Sequence, residues 1–425
     1  MHLSLRTDRR LLRSSARSVR HLLISLSAPV APPRAGRLPL NVALVLDRSG
    51  SMAGERKFEL AREALKQSLS MLRPEDRFTI VVYDHDVDVL VPSTPASATA
   101  KRRALAALNE VGPRGSTNLH GGWMAGATEV AAFLNTEGVT RVLLLTDGLA
   151  NDGLAEPAQL ASLAAELRHR RITTSTFGVG DDFDERLLRD IAHEGGGNFY
   201  FVESPLQIPD LLTSELGEAL AVVARDAALQ VALPAGAEAK VLNRFRSTYA
   251  IGDNEMRVEL GDLTSGQELS VVVRIRFAHG VDANETTVRV GLASGDQLAQ
   301  LAEEEMSWTY APHDENDRQP RDRIVDIEAA TLYAARARAE ATEANRVGDY
   351  HRARRILETT ARRIRGYASG DPELERLWRQ LLAEIETYAM EAMSPRSLKQ
   401  SMFVAESAAR GRAPDGKARR SRRSS

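Results

Sequence analysis

Five side chains that end in oxygen are concentrated in three short segments of the sequence. The segment LVLDRSGSM places Asp47, Ser49 and Ser51 at alternate positions just after an apolar run. GPRGSTN contributes Thr117, and LLLTDGLAN contributes Asp147 after another apolar run. Two carboxylates and three hydroxyls, with no His or Cys among them, form a set of hard oxygen ligands that suits Mg²⁺. These five residues are therefore the candidate metal ligands.

The charge of this ligand set leaves a role for an outside ligand. Three of the five groups are neutral hydroxyls, which leave most of the charge of the ion uncompensated. A bound metal would therefore still attract a carboxylate from outside the set. Gly50, Gly115 and Gly148 lie beside the ligands and would let the loop backbones turn tightly around the ion.

Other chemistries match parts of the pattern. A phosphatase of the haloacid dehalogenase type also begins with an Asp after a buried strand, but it needs a second carboxylate two residues later, where this chain has Ser49. Residues 83–88 (YDHDVD) resemble a calcium loop without the EF-hand spacing or its closing Glu, so we interpret them as a solvated hairpin tip. The acidic residues at 181–185 are interpreted as charges that open a helix, with a second ion site as the alternative.

Alternating strands and helices between residue 38 and about residue 225 would position the candidate ligands. Short apolar runs such as LNVALVLD, RFTIVVYD and RVLLLTD are typical of strands, and segments with helical periodicity separate them. Ser97 is placed to cap one of these helices. This order predicts an α/β fold with a doubly wound, mostly parallel sheet. Ligands of such sheets bind at the carboxyl ends of the strands, so the three segments are expected to converge there.

The pattern of apolar and polar residues changes after residue 225. Residues 226–311 contain short alternating segments separated by turns, which predict a β-sandwich that lacks some of its strands. Residues 1–37 show the same alternation, and we expect them to complete the sandwich, with the α/β domain inserted between its strands. The alternative for the segment HLLISLSAPVA is an export signal.

The C-terminal part of the sequence is helical and then basic. Residues 321–392 predict a helical hairpin region that is broken near Gly348 and Gly370. Residues 405–425 are rich in Arg and Ser and predict a basic disordered tail.

Composition excludes several classes of function. The 425 residues include no Cys, which removes disulfides, zinc–cysteine sites, iron–sulfur clusters and thiol nucleophiles. A formal net charge of -2 argues against a specific nucleic-acid binder. No apolar run is long enough for a transmembrane segment, which needs about 20 residues. Together with the absence of Cys, this favours a cytoplasmic protein.

The three segments resemble the metal-ion-dependent adhesion site of von Willebrand factor type A domains, most closely the bacterial ones. All five positions match, and the resemblance covers residues 38–225. It implies a six-stranded sheet with one antiparallel edge strand and a divalent ion, usually Mg²⁺, with Mn²⁺ or Ca²⁺ as alternatives. It also implies that Ser49, Ser51 and Thr117 coordinate directly, while Asp47 and Asp147 often act through water. A partner then completes the coordination with an acidic side chain.

The expected function is therefore metal-dependent protein binding rather than catalysis. In this hypothesis the bound Mg²⁺ accepts a Glu or Asp carboxylate from a partner protein and serves adhesion, scaffolding or regulation. The second hypothesis is an intramolecular scaffold or sensor whose metal site docks the chain's own domains. The third is a Mg²⁺-dependent phosphohydrolase.

Overall fold

The computed structural model describes residues 1–30, 37–135, 137–149, 156–249, 254–295 and 299–420. The chain divides into two compact units. One, the terminal unit, combines the N-terminal 31 residues with the chain from Val223 onwards. The other, the inserted unit, runs from residue 32 to Val222. Among the helices that the structure describes, none is long and apolar enough to cross a membrane.

The elements of the chain follow the order that the sequence predicts, with strands first, then alternating elements, then strands and helices. The N-terminal strands are β1 (His2–Thr7), β2 (Leu11–Arg13) and β3 (Ser18–Ser27). The elements of the inserted unit are β4 (Leu40–Asp47), α1 (Lys57–Met71), β5 (Arg77–Tyr83), β6 (Val87–Pro95), α2 (Ala98–Asn109), α3 (Leu119–Ala131), β7 (Val139–Thr146), α4 (Pro157–His169), β8 (Ile172–Val179), α5 (Glu185–Glu194), β9 (Gly196–Val202) and α6 (Ile208–Leu220).

The sheet of the inserted unit has the strand order β6-β5-β4-β7-β8-β9. All neighbours are parallel except β5 and β6, which form an antiparallel hairpin at one edge. Every residue of β4 and β7 is buried, because these two apolar strands lie in the centre of the sheet. The predicted doubly wound, mostly parallel six-stranded sheet is therefore confirmed.

Side-chain caps begin several helices of this unit. Ser97 accepts a hydrogen bond from the amide of Ala100 at the start of α2, as its position in the sequence predicts. Asp184 accepts hydrogen bonds from two amides at the start of α5, so this residue of the 181–185 acidic run has a helix-capping role. Asn118 caps α3 through the amide of Gly121 and thereby fixes the backbone next to Thr117.

The terminal unit contains two sheets, whose strands are mostly antiparallel, and the C-terminal helices. Its later elements are β10 (Val222–Ala232), β11 (Glu238–Val241), β12 (Arg246–Tyr249), β13 (Glu255–Thr264), β14 (Glu268–Phe277), β15 (Glu285–Ser294), β16 (Ala299–Ala311), α7 (His313–Arg318), α8 (Arg323–Arg346), α9 (Tyr350–Ala368), α10 (Pro372–Ala383), α11 (Ile385–Ala389) and α12 (Pro395–Ala409). The sheets have the orders β1-β3-β14-β11 and β12-β13-β10-β15-β16-β2.

The N-terminal strands belong to both sheets of this unit: β3 is an internal strand, and β1 and β2 are edge strands. All ten residues of β3 pair with β14, and β1 pairs with the other edge of β3. Apolar side chains from both sheets, among them Ile24, Val273, Leu229 and Val290, form one buried core. The segment that could have been an export signal is thus a central strand of the four-stranded sheet.

The sandwich and the helical region, which the sequence distinguishes as two segments, belong to one compact unit. Helix α8 packs on the four-stranded sheet, where Val325, Ala329 and Leu332 bury apolar surface against Leu23 and Val272. Because β3 and β14 carry apolar side chains on both faces, the sheet needs this cover as well as the sandwich core.

The prediction of a disordered tail for residues 405–425 needs correction. Residues 405–409 complete α12, and Arg412 and Ala418 form a small antiparallel bridge. The carbonyl of Arg419 then accepts a hydrogen bond from the amide of Glu268 at the start of β14. Basic composition suggested disorder, but these backbone hydrogen bonds order the segment at the end of a sheet. The last five residues of the predicted tail lie outside the described residues.

A histidine inside the terminal unit makes its stability depend on pH. The imidazole of His21 on β3 lies 3.0 Å from the Tyr333 hydroxyl on α8. Burial lowers the pKa of His21 to about 4, with the charges of Arg363, Arg321 and Arg274 acting in the same direction and that of Asp8 opposing them. The folded protein therefore resists protonation of this ring, while the unfolded chain accepts a proton near pH 6.5.

We therefore predict that the stability that depends on neutral His21 is fully present above about pH 6.5 and is lost as the pH drops towards 4. The loss from this one residue is about 3 kcal/mol, because each pKa unit corresponds to about 1.4 kcal/mol. Urea unfolding of wild type and His21→Gln between pH 4.5 and pH 7.5 measures it. The variant should lose stability less steeply, and parallel pH profiles of the two proteins would contradict the assignment.

Candidate metal centre

The first candidate ligand, Asp47, is fixed at the carboxyl end of the central strand β4. Its side chain is completely buried. Oδ1 accepts a hydrogen bond from the amide of Ser49 at 2.7 Å, and Oδ2 accepts one from Thr146 Oγ1 at 2.6 Å. Thr146 is the last residue of the neighbouring strand β7, so the carboxylate joins the ends of two adjacent strands.

The two serines and the second aspartate form a continuous chain of hydrogen bonds. Ser49 Oγ lies 3.0 Å from Ser51 Oγ, and Ser51 Oγ donates to Asp147 Oδ1 at 2.5 Å. Asp147 follows β7 directly and its side chain is completely buried. The parallel pairing of β4 with β7 brings these two loops together although 96 positions separate Ser51 from Asp147.

Thr117 reaches the same place from the loop before α3. A methyl group built on Gly148 would lie 3.2 Å from Thr117 Oγ1 and 3.7 Å from Ser51 Oγ. The hydroxyls of the first and second segments therefore face the backbone of the third segment at Gly148. The structure thus brings all five predicted residues together, and the absence of a side chain at Gly148 keeps the space beside two of their hydroxyls open.

Glycine serves a different purpose at each of the three predicted positions. Of Gly50, Gly115 and Gly148, only Gly115 has a positive φ, at 72°. A side chain at Gly115 would also collide with the His85 ring, since its Cβ would lie 2.3 Å from Nδ1. Gly50 instead donates its amide proton to the carbonyl of Gly115 at 3.1 Å and ties the first loop to the second.

The electrostatics of this centre suit a hard divalent cation. Burial raises the pKa of Asp47 to about 6, opposed by the hydrogen bonds from Thr146 and Ser49, and the nearby charge of Asp147 raises it further. Two buried carboxylates thus share one small region with three hydroxyls. Oxygen donors of this kind fit Mg²⁺, which binds carboxylates and keeps other oxygen ligands in its shell.

An ion-pair network behind the centre was missed by the sequence interpretation. Asp84 follows β5, and its Oδ2 accepts hydrogen bonds from Arg48 Nε at 2.9 Å and from Arg114 Nε at 2.7 Å. Arg48 lies inside the first ligand segment and Arg114 lies in the loop that carries Thr117. The amide of Arg114 also donates to the carbonyl of Arg48 at 2.7 Å.

The interpretation of residues 83–88 as a solvated tip is therefore wrong for Asp84. His85 and Asp86 are half exposed, but the Asp84 side chain is completely buried. Burial alone would raise the pKa of Asp84, yet the hydrogen bonds from the Asp86 amide and from Arg114, with the charge of Arg48, hold it below its usual value. Two guanidinium groups already neutralise this cluster of acidic and histidine side chains, so it is a weaker candidate for a metal than the five-residue centre.

Lys57 is another residue that the sequence interpretation did not single out. Its Nζ donates to Asp147 Oδ2 at 2.7 Å, and only 12% of its side chain is exposed. The signal was weak, because a lysine at the start of a helix is usually a surface residue. One hint was available, since Lys57 is one of only six lysines among 56 basic residues.

Comparisons with known proteins identify the type of domain that carries these residues. Residues 41–214 match the von Willebrand factor type A domain. The uncharacterised protein YfbK of Escherichia coli is 29% identical over 283 residues, which cover 64% of this chain and 48% of YfbK. The human inter-alpha-trypsin inhibitor heavy chain H4 is 32% identical over 174 residues, which cover 39% of this chain and 18% of that protein. The chain thus spans about half the length of the first relative and less than a fifth of the second.

A solved structure shares the fold over nearly the whole chain. The von Willebrand factor type A protein from Catenulispora acidiphila superposes with a TM-score of 0.75, covers 97% of both chains and is 17% identical. At this identity the likeness concerns the fold alone. The match of residues 41–214, the bacterial relative and the shared architecture lead to one conclusion. Residues 41–214, within the inserted unit, are a von Willebrand factor type A domain.

Proposed function

We propose that the inserted unit is a metal-dependent protein-binding module. Asp47, Ser49, Ser51, Thr117 and Asp147 would hold a divalent cation, with Mg²⁺ as the expected ion. When bound, the ion supplies a Lewis-acidic position for a Glu or Asp carboxylate of a partner protein. The observation that carries the proposal is the convergence of five oxygen side chains from three loops beside Gly148.

The chain's own residues would prepare this centre before any partner arrives. Backbone and hydroxyl donors hold both oxygens of Asp47, and the Ser51 hydroxyl holds one oxygen of Asp147. The ligands therefore need little rearrangement, which reduces the entropic cost of binding. Domains of this family are generally metal-dependent interaction modules, which supports the proposal without naming a partner.

The same contacts argue against hydrolysis as the function. Ser49 stands where a phosphatase of the haloacid dehalogenase type needs its second carboxylate. Both oxygens of Asp47 accept hydrogen bonds, so this carboxylate is held as a ligand rather than presented as a free nucleophile. We therefore propose a binding protein and expect no Mg²⁺-dependent phosphatase activity.

Calorimetric titration of Mg²⁺ into the full chain tests the proposal. We expect wild type to bind one ion and Asp47→Ala to show no measurable binding. Gly148→Ala keeps all five ligands but crowds two of their hydroxyls, and we expect it to lose about tenfold to a hundredfold in affinity. Glu59→Ala removes an exposed carboxylate on α1 and is the matched control, which should bind like wild type. Equal affinity in wild type and Asp47→Ala would refute the proposed site.

The partner requires a separate measurement. Pull-down with immobilised wild type should recover a protein in the presence of Mg²⁺ and lose it when a chelator is added. The same experiment with Asp47→Ala should recover none. Retention that is equal with and without the chelator would contradict metal-dependent capture.

A further inference from the structure

Lys57 places a largely buried positive charge directly against the candidate metal centre. Its Nζ donates a hydrogen bond to Asp147, whose carboxylate is completely buried. The neighbouring strand end also approaches it, because a methyl group on Gly180 would lie 3.8 Å from Nζ. Lys57 is therefore enclosed by the loops that follow β7 and β8, unlike the exposed lysine at position 66 on the same helix.

The backbone before Lys57 is shaped to deliver it there. Glu55 and Arg56 both adopt left-handed conformations, with φ of 52° and 60°. Such conformations are costly for residues other than glycine and persist only when the surrounding structure imposes them. Helix α1 begins at Lys57, so this residue takes the first position of the helix. From there its ammonium group reaches Asp147 in the loop after β7.

The formal charges of the centre show what this ammonium does. The five ligands carry two negative charges, and Lys57 reduces the total to one negative charge. A divalent cation then leaves the loaded centre with one net positive charge. Without Lys57, the formal charge of the loaded centre would be zero, and an added carboxylate would be attracted less strongly.

We propose that Lys57 is the residue that makes the loaded centre select an anionic ligand. Its charge weakens binding of the metal alone and strengthens binding of a carboxylate to the metal-loaded centre, so the two ligands bind cooperatively. This inference rests on the proposed function. It also assigns the occupant, because only an acidic ligand, and not a neutral amide or hydroxyl, restores charge balance.

A purely structural role for Lys57 predicts the opposite result. If the ammonium only holds Asp147 in place, then its removal would disorder a ligand and weaken the metal. If it acts through its charge, then its removal would strengthen the metal and weaken the carboxylate. The sign of the change in metal affinity therefore distinguishes the two roles.

The experiment measures both affinities at fixed ionic strength. Titration of Mg²⁺ alone into Lys57→Met should show about tenfold tighter binding than wild type, because one nearby repulsive charge is gone. A capped pentapeptide with one central glutamate is then titrated into the Mg²⁺-saturated proteins. Lys57→Met should bind it about tenfold more weakly than wild type, and the glutamine counterpart of the peptide should bind neither protein.

Three controls keep the outcomes separate. Lys57→Arg retains the charge and should keep both affinities within about threefold, and Lys66→Met should match wild type because Lys66 is exposed. Thermal melting in chelator verifies that each variant is folded, and added Mg²⁺ should raise the melting temperature of Lys57→Met more than that of wild type. If wild type binds Mg²⁺ but Lys57→Met binds it equally or more weakly, the inference is overturned and the proposed function stands. If wild type binds no more Mg²⁺ than Asp47→Ala, the proposed function fails first.

Discussion

Replacing Glu215 with alanine should destabilise the inserted unit by about 3–5 kcal/mol, the usual cost of removing one partner from a buried ion pair. Glu215 lies on α6 and is completely buried. Its Oε1 accepts hydrogen bonds from Arg141 Nη1 at 3.1 Å and from Ser175 Oγ at 2.6 Å. Its Oε2 accepts them from Asn198 Nδ2 at 2.9 Å and from Tyr200 Oη at 2.6 Å.

The large loss of stability expected for Glu215→Ala follows from the positions of the four residues that donate hydrogen bonds to Glu215. Arg141 belongs to β7, Ser175 to β8 and the other two residues to β9, so one carboxylate fastens α6 to three adjacent strands. Its removal would leave a buried guanidinium without this carboxylate and would take one acceptor away from three neutral donors, and each lost hydrogen bond costs free energy away from water.

Urea unfolding of the full chain, with hydrogen exchange of the β7–β9 segments, measures the loss. Exchange of these strands should accelerate in Glu215→Ala, while that of β3 and β14 in the terminal unit should not change. Glu59→Ala, which removes an exposed carboxylate, should alter stability by less than about 0.5 kcal/mol. A similarly small change in Glu215→Ala would show that the network does not stabilise the unit.

Replacing Asp84 with alanine should affect both stability and metal affinity. The Arg48 side chain is 7% exposed, and among the described residues its remaining acidic partner would be the half-exposed Asp88. We expect a loss of about 3–5 kcal/mol in the free energy of unfolding, because a buried cation loses its buried partner. The loop that carries Thr117 would lose the link from Arg114 to Asp84, so Mg²⁺ affinity should fall by about tenfold to a hundredfold.

Calorimetry at a temperature well below the melting point separates these two effects. Asp86→Ala is the matched control, because Asp86 is 59% exposed and also contacts Arg114. The control should keep both stability and Mg²⁺ affinity near the wild-type values. If folded Asp84→Ala bound Mg²⁺ like wild type, Asp84 would be a stabilising residue with no part in positioning the centre.

Sequence patterns were sufficient for the central sheet and for the choice of candidate ligands. The strand LNVALVLD is apolar on both faces, which only a central strand of a covered parallel sheet requires, and β4 is that strand. Convergence of Asp47, Thr117 and Asp147 followed from their common position at carboxyl ends of strands or beside them. Whether they bind a metal stays a prediction.

The same sequence patterns gave wrong predictions where tertiary contacts decide the structure of a segment. Residues 410–420 have the composition of a disordered tail, but hydrogen bonds to β14 order them. Asp84 lies in a polar segment that is typical of a hairpin tip, but Arg48 and Arg114 approach it from two other loops. The composition of a segment indicates whether it is polar or apolar. It does not show which distant residues lie next to that segment in the folded chain.

The sequence by itself determined the order of the elements and the five oxygen side chains, because periodicity and strand ends are local properties of the chain. Only the tertiary structure decided which charges surround those side chains. Lys57, Thr146 and Glu215 acquire their roles from partners that lie between 15 and 99 positions away. Burial then makes each of these contacts strong, because a charge or hydrogen bond removed from water has no solvent to replace its partner.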